Sequence, residues 1–250
     1  MHSFNYLPCS IVVLASYASA HGQIAGLMTD GVFYQGYSPQ MQYQQNAPQV
    51  VGWSIPQDVS NGPVMPQSYT NPDIICHVGA TPAPIAAKVT AGSNVTVFWT
   101  KDWPQSHKGP MLDYLAACPS NDCSKVDKTQ LKFFKIDAVG LIDGSKQPTT
   151  WGSDQMFANN MSWTVQVPQS ITPGQYVLRH ETISLHQAQS ENGAQNYPFC
   201  LNLDVQGSGT AQPEGVLGTQ LYTPTDPGVK INIYTTLTQY QMPGPALFTG

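Results

Sequence analysis

Charge is the first thing that the sequence has little of. Only 10% of its 250 residues are Asp, Glu, Lys or Arg, the formal net charge is −5, and Arg179 is its one arginine. Nucleic acids and anionic membranes bind proteins through clusters of Lys and Arg, and the sequence contains no such cluster. Both partners are therefore excluded, and a neutral polar partner such as a polysaccharide fits the composition better.

Carboxylate pairs suited to hydrolysis are also scarce. The three glutamates are Glu181, Glu191 and Glu214, and no two aspartates stand out as a pair. A glycoside hydrolase needs two carboxyl groups about 5 to 9 Å apart. A zinc hydrolase is typically marked by a His-Glu-x-x-His motif, which the sequence lacks. Hydrolysis is therefore a minor alternative hypothesis.

No apolar run is long enough to span a bilayer. Residues 7–15 are mostly apolar, with an unbroken core at 11–15, whereas a membrane helix requires about 20 such residues. The pattern Ala18-x-Ala20 follows, which signal peptidase accepts, although no Lys or Arg precedes the apolar core. Residues 1–20 are therefore predicted to be a secretory signal peptide, so that the secreted, mature chain begins at His21.

Cysteines are few, and one of the five, Cys9, is removed with the predicted leader. An even number of cysteines in an oxidising compartment predicts two disulfides. The close spacing of Cys118 and Cys123 favours a bridge that closes a short loop. Cys76 and Cys200 then remain to form a long-range bridge.

Two triplets match the acceptor pattern for N-glycosylation. They are Asn94-Val95-Thr96 and Asn160-Met161-Ser162, and they are consistent with eukaryotic secretion. Because such triplets also arise by chance, they add only modest weight to that prediction.

Period-two alternation of apolar and polar residues is the recurring local pattern. It predicts strands over four segments, 93–100, 162–167, 175–186 and 199–205. Short strands separated by turns, in a chain with 21 Gly and 21 Pro, are typical of an all-β, immunoglobulin-like antiparallel β-sandwich. Only 111–117 and 127–134 are predicted to contain short helical turns.

Three long connections are predicted between these strands, at 30–75, 101–130 and 206–228. Connections of this length in a compact domain are usually functional, and in a sandwich they can form a broad surface platform. The chain contains no low-complexity linker, and its amino-acid composition does not change in a way that would mark a second domain. Residues 21–250 are therefore predicted to form one domain, monomeric and without an appended carbohydrate-binding module.

Two histidines are candidate metal ligands. After cleavage, the free α-amine and the imidazole of His21 can close a chelate ring on Cu(II), which favours nitrogen donors in a tetragonal field. The simpler alternative is that His21 follows the cleavage site by chance. His107 lies in a loop between Pro104 and Pro110, and a loop held in this way suits a ligand, although an exposed histidine without a role is an equal alternative.

The other mature histidines suit the same ion less well. His77 follows Cys76 at a predicted bridge and is interpreted as structural, and so is His180, which has charged neighbours in a predicted strand. His180 and His186 are six residues apart on that strand, a separation of about 20 Å, so they cannot both bind one metal.

The segment 195–200 (QNYPFC) is the last with chemical interest. If it is extended, Gln195 and Tyr197 share a face, while Pro198 argues against ordinary pairing in a central strand. On the local pattern alone, Tyr197 is a buried core tyrosine whose hydroxyl bonds to the backbone.

Several segments together carry a resemblance to one family. They are His21 after the cleavage site, 72–77 (PDIICH), 106–110 (SHKGP), 126–131 (VDKTQL), 176–181 (YVLRHE), 195–200, 222–234 and 243–245. In these segments the chain resembles the fungal lytic polysaccharide monooxygenases of auxiliary-activity family nine, once filed as glycoside hydrolase family sixty-one. The match covers essentially the whole mature chain in order.

The resemblance implies one copper ion per chain. His21 would bind it through the α-amine and ring Nδ1, His107 through Nε2, and the Tyr197 phenol oxygen would take the axial position. His186 and Gln195 match residues that hydrogen-bond the oxygen species beside the copper. The implied reaction is oxidation of C1 or C4 of a β-1,4-glucan such as cellulose, with O2 or H2O2 and an external electron donor, either a small reductant or a secreted redox enzyme.

The resemblance also implies substrate contacts. Tyr43 and Tyr222 are the aromatics implied to stack on sugars, and packing against their own loops is the alternative for each. The rival function is a secreted module that binds polysaccharide or copper without turnover. The combination of Tyr197, His186 and Gln195 favours turnover, because a protein that only holds metal needs no residues facing oxygen.

Overall fold

The computed structural model describes residues 21–58 and 60–250, so the predicted signal peptide and Cys9 lie outside the described residues. Within these ranges the chain is built mainly from strands. The strands are β1 (Ile24–Thr29), β2 (Val32–Gln35), β3 (Ala87–Thr90), β4 (Asn94–Trp99), β5 (Met111–Ala117), β6 (Lys132–Val139), β7 (Leu141–Asp143), β8 (Thr150–Trp151), β9 (Ser162–Gln166), β10 (Gly174–Ser184), β11 (Gln195–Gln206) and β12 (Val216–Leu217). The helices are α1 (Asp73–Cys76) and α2 (Gly152–Ala158), and short 3-10 turns lie in the connections.

Two main sheets form a sandwich. One has four strands in the order β2-β1-β4-β9, and the other has six in the order β12-β6-β5-β10-β11-β3. Pairing is antiparallel throughout both sheets except between β11 and β3, which run parallel. Strands β7 and β8 form a separate two-stranded ribbon. The predicted all-β sandwich is confirmed.

The core lies between the two sheets. Side chains are also buried on the other face of the larger sheet, where a loop covers it. On β4 the buried Val95, Val97 and Trp99 alternate with side chains on the outer face. Strand β10 is buried on both faces. The smaller sheet covers one face, where Trp99 Nε1 donates to His180, and the loop that carries α1 covers the other, where Arg179 donates to the Ile75 carbonyl.

Burial on both faces explains the main errors of the sequence predictions. Segment 111–117 is strand β5 and not helical, because six of its seven residues are buried and no alternation is visible. The predicted connection 101–130 therefore contains a central strand. Within 127–134 only Lys128–Gln130 forms a 3-10 turn before β6 begins. Helix α2 was not predicted.

Strand β11 is longer than predicted. It begins at Gln195, and Pro198 lies within it opposite Glu181 of β10. Pro198 has a neighbouring strand on this side only, in agreement with the prediction that proline prevents ordinary central-strand pairing there. The other edge of β11 meets β3 only from Leu203 onward. Beside Pro198 that edge contacts loop residues, including a backbone pair between Asn196 and Val64, so no neighbouring strand requires an amide hydrogen from proline.

Both predicted disulfides are present. Cys118–Cys123 closes a short loop after β5, and Cys76–Cys200 joins α1 to β11 across 124 residues of sequence. Among the described residues, no helix has the length and apolar character needed to cross a membrane.

Candidate metal centre

Backbone contacts fix the position of His21, which lies three residues before β1. A side chain at the next residue, Gly22, would begin 3.2 Å from the Trp99 ring and 3.4 Å from Cβ of Trp103, so glycine lets the backbone lie close to both. In addition, the Asn61 side-chain amide donates to the Gly22 carbonyl. Asn61 is fully buried, so this contact is shielded from water.

The loop that carries His107 is held against the end of β10. The Lys108 carbonyl accepts from the Leu185 amide, and the Gly109 amide donates to the Ser153 hydroxyl at the start of α2. A Cβ at Gly109 would overlap the Ile183 carbonyl oxygen at 1.8 Å, so only glycine fits there. The expectation that this loop is held in place agrees with the structure.

Three rings converge at one place. The His21 ring centroid lies 5.1 Å from that of His107 and 5.1 Å from that of Tyr197. Trp103 packs edge-on against both Tyr197, at 4.9 Å, and His107, at 5.6 Å. The structure therefore brings together the three residues that the sequence proposed as metal ligands.

Tyr197 forms the buried side of this cluster. Its side chain is inaccessible to solvent, and its hydroxyl donates to Gln195 Oε1 at 3.0 Å. Burial, with a smaller effect of the Asp58 carboxylate, raises the pKa of Tyr197 far above its ordinary value, so the phenol remains protonated. The alternative of a backbone partner for the hydroxyl is not what the structure shows.

His186 lies beside His107 with ring centroids 4.2 Å apart. Its Nδ1 is 2.7 Å from the Ser184 hydroxyl, at the end of β10. That contact leaves Nε2 to face other partners. The predicted strand 175–186 ends at Ser184, so His186 belongs to the following turn.

The histidines of the cluster are neutral at ordinary pH. Burial, and then the nearby His186 and His21, lower the pKa of His107 to about 4. Burial is also the main cause that lowers the pKa of His21 and His186. Neutral imidazoles keep a lone pair for a metal, and a set of nitrogen donors suits copper. The residues present therefore fit a copper ion, with the α-amine of His21 as a further nitrogen donor after cleavage.

Counting only His, Cys, Asp and Glu side chains, no group of three in the described ranges is arranged to hold an ion. The cluster described above combines two imidazoles with a phenol.

His77 and His180 are buried and lie apart from the cluster, in agreement with their structural interpretation. His180 Nδ1 is 2.7 Å from Asp113, and its Nε2 accepts from Trp99. His77 packs against Phe199 with ring centroids 5.0 Å apart.

The predicted sugar-facing role of Tyr222 is wrong. Tyr222 is only 5% exposed, and its hydroxyl bonds to Glu181 and Tyr114 inside the core. The Glu181 carboxylate also pairs with Arg179, so Tyr222 completes a buried ionic network. An isolated tyrosine in a loop sequence gives no sign of such partners.

The exposure of Tyr43 is consistent with its predicted role in contacting sugars, since 77% of the residue is accessible to solvent. Sequence reasoning overlooked Tyr234, which is 59% exposed and whose hydroxyl donates to the His186 carbonyl at 3.0 Å. It also assigned no role to Trp103 or Asn61. Trp103 lies in a motif next to His107, which was an available signal, whereas nothing in the sequence connects Asn61 to His21.

Comparison with known proteins gives a consistent result. A family model described as "Auxiliary Activity family 9 (formerly GH61)" matches residues 21–241. The chain is 54% identical over 240 residues to "AA9 family lytic polysaccharide monooxygenase I" of Botryotinia fuckeliana, covering 96% of this chain and 88% of that protein. It is 52% identical to "AA9 family lytic polysaccharide monooxygenase A" of Talaromyces verruculosus, covering 96% and 73%.

Solved structures agree. The extended catalytic domain of H. jecorina LPMO9A superposes with a TM-score of 0.86 at 52% identity, covering 92% of each chain. A cellulose-active polysaccharide monooxygenase from M. thermophila superposes with a TM-score of 0.78 at 31% identity, covering 91% of this chain and 99% of that one.

Proposed function

The chain belongs to Auxiliary Activity family 9 and is a copper-dependent polysaccharide monooxygenase, and we propose that it cleaves the β-1,4-glucan chains of cellulose at C1, C4 or both. The observation that carries the proposal is the convergence of the His21, His107 and Tyr197 rings. We further propose that residues 21–250 act as one secreted, monomeric catalytic domain, after removal of residues 1–20.

The residues that would hold copper are His21, through its α-amine and Nδ1, His107, through Nε2, and Tyr197, through its hydroxyl. When bound and reduced by an external donor, copper would supply the activation of O2 or H2O2 needed to oxidise C1 or C4 of the sugar. The Ser106 hydroxyl lies 3.3 Å from Nδ1 of His107 and supports the use of Nε2. The electron donor is a small reductant or a secreted redox enzyme.

His186 and Gln195 would act on the oxygen co-substrate. With Nδ1 of His186 at the Ser184 hydroxyl, Nε2 is the atom that can hydrogen-bond an oxygen species and transfer a proton to it. Gln195 Oε1 accepts from Tyr197, so its amide nitrogen remains to donate. Groups that orient ligands in this way tune the reactivity of a metal.

Exposed aromatics would bind the substrate. Tyr234 contacts the backbone of His186, so its ring lies at the rim of the centre, and Tyr43 is exposed on a separate turn. Tyrosine rings on a largely uncharged surface suit stacking on sugar faces. The M. thermophila protein is described as cellulose-active, which supports cellulose as the substrate.

The test compares two forms of the protein. One begins at His21, and the other carries one extra glycine before it, so that its His21 nitrogen is in a peptide bond. Each form is loaded with copper and incubated with amorphous cellulose and ascorbate, and mass spectrometry identifies the soluble products. We expect aldonic acids or C4-ketosugars from the first form only, and the product type gives the carbon attacked.

Other outcomes separate the rival functions. Unoxidised oligosaccharides from both forms would point to hydrolysis. Tight copper binding without products from cellulose would favour a binding module or a different glucan. In the same assay Tyr234→Ala should lower the yield of oxidised product at low cellulose concentration, whereas Tyr222→Phe should not, because Tyr222 is buried.

A further inference from the structure

The outer face of the smaller sheet carries a glycosylation triplet beside exposed apolar side chains. Asn94, Thr96 and Phe98 alternate with buried residues on β4 and therefore point to this outer face. Asn94 is exposed and is the first residue of the strand. Its pairing with Gln166 of β9 fixes the direction of its side chain.

The apolar strip consists of Met28, Phe33 and Phe98. Met28 is 39% exposed and Phe33 is 56% exposed, and the rings of Phe33 and Phe98 lie 6.0 Å apart. Gly26 makes this contact possible, since a Cβ there would lie 2.6 Å from Cζ of Phe33. The Phe33 ring therefore covers Gly26 and faces outward on its other side. A contiguous exposed apolar patch is a candidate binding surface.

The strip lies within reach of Asn94. Met28 pairs with Thr96 and Phe33 pairs with Met28, so Met28 is a diagonal neighbour of Asn94, about 7 to 8 Å away. Phe98 is four residues along β4, about 13 Å from Asn94. Two sugar residues attached to Asn94 and laid along the strand would reach from Thr96 to the two phenylalanines.

We propose that Asn94 carries an N-linked glycan whose first two N-acetylglucosamine residues lie along β4 and cover the strip of Met28, Phe33 and Phe98. The C–H groups on one face of a pyranose ring pack on an aromatic face, so the sugar removes apolar surface from water. This inference rests on the proposed secretion and is independent of copper and catalysis.

Asn160 is the competing attachment site. It lies in the turn between α2 and β9, with a positive φ of 57°, so no strand pairing directs its side chain along the sheet. The stabilising effect of a glycan at Asn94 should therefore depend on Phe33, whereas that of a glycan at Asn160 should not.

The test is a mutant cycle in protein secreted from a eukaryotic host. The variants are Asn94→Gln, Phe33→Thr, the double variant Asn94→Gln/Phe33→Thr, and Asn160→Gln alone and with Phe33→Thr. Peptide mass spectrometry after enzymatic deglycosylation measures occupancy, and calorimetry of the copper-free protein measures Tm. We expect Asn94 to be occupied and Asn94→Gln to lower Tm by about 2 to 4 °C. In the Phe33→Thr background that shift should fall below about 1 °C.

Three results would overturn the proposal. They are an unoccupied Asn94, a Tm shift from Asn94→Gln that is the same with and without Phe33, and a dependence on Phe33 shown by Asn160→Gln instead. A dimer of the glycosylated protein that Phe33→Thr dissociates, seen by light scattering, would likewise show that a second copy covers the strip.

Discussion

At the scale of the residue, the metal centre depends on groups that bind no metal. His21 lies three residues before the first strand, and the contacts of the next residue, Gly22, hold the backbone beside it. The Asn61 side-chain amide donates a hydrogen bond to the Gly22 carbonyl and so contributes to its position. Asn61 also has a positive φ of 50°, which asparagine tolerates and glycine adopts freely.

Replacement of Asn61 by glycine should therefore weaken copper binding without changing the local backbone. We expect Asn61→Gly to reduce Cu(II) affinity by about 10-fold or more, the range found when groups that orient ligands are lost. Isothermal titration calorimetry of protein that begins at His21 measures this affinity. Asn160→Gly, made without glycosylation, is the matched control, since Asn160 has a φ of 57° and lies elsewhere. Equal affinities in both variants would show that Asn61 does not orient His21.

The residues that sequence could identify are those whose chemistry is local. The histidine after a cleavage site and the histidine held between two prolines were identified by their own neighbours, and family resemblance supplied their partner Tyr197. Asn61 and Tyr234 were missed because their contacts join segments far apart in sequence. Tyr222 was misassigned for the same reason, since its partner Glu181 lies 41 residues away in a buried strand.

At the scale of the element, the pair β10–β11 delivers most of the centre. Gln195 and Tyr197 lie at the start of β11, and His186 follows the end of β10, so one antiparallel pair places all three. Part of β11 was predicted because Phe199, Leu201, Leu203 and Val205 recur at every second position, but β5 escaped prediction because both of its faces are buried. Apolar and polar residues alternate only where one face of a strand is buried and the other is exposed. A strand such as β5 is buried on both faces and shows no such alternation.

Helix α1 is an element that cannot form alone. It has four residues, fewer than a stable isolated helix needs. Its carbonyls at Ile74 and Ile75 accept from Arg179, and Cys76 is bonded to Cys200 on β11. The disulfide thus attaches the loop that covers the larger sheet.

Removal of the two disulfides should have unequal effects. By loop entropy, Cys76→Ala/Cys200→Ala should lower the free energy of unfolding by about 5 kcal/mol, because the bridge spans 124 residues. Cys118→Ala/Cys123→Ala, whose bridge spans 5 residues, should cost about 2 kcal/mol. Guanidinium unfolding of the copper-free proteins measures both values. Equal losses would mean that chain entropy does not determine the contribution of these bridges.

At the scale of the whole molecule, stability against acid depends on buried ionisable groups, and Asp58 and His77 form an unusual pair. The Asp58 carboxyl lies 3.1 Å from Nδ1 of His77, and that nitrogen already accepts from the Val78 amide at 2.9 Å. The proton between them therefore belongs to Asp58. Burial raises the pKa of Asp58 to about 6 and lowers the pKa of His77 to about 3, in agreement with this assignment.

The two shifts oppose each other in their effect on stability. The raised pKa of Asp58 gives stability that is lost as pH rises from about 4 to 6, and the lowered pKa of His77 gives stability that is lost as pH falls from about 6.5 to 3. Between pH 4 and 6 the folded pair holds one proton on Asp58, and the unfolded chain holds one on His77. Folding then changes no proton count, so the pair contributes little pH dependence in this window.

Asp58→Asn should expose the titration of His77. The asparagine amide can still donate to Nδ1 of His77, but it binds no proton, so unfolding at low pH now takes up one proton. Between pH 6.5 and 4.5 the variant should lose about 2 kcal/mol more stability than the unmodified protein. Guanidinium unfolding at the two pH values measures the difference, with Asp102→Asn at an exposed turn as the control for lost charge. Parallel pH dependence in all three proteins would place the proton elsewhere than between Asp58 and His77.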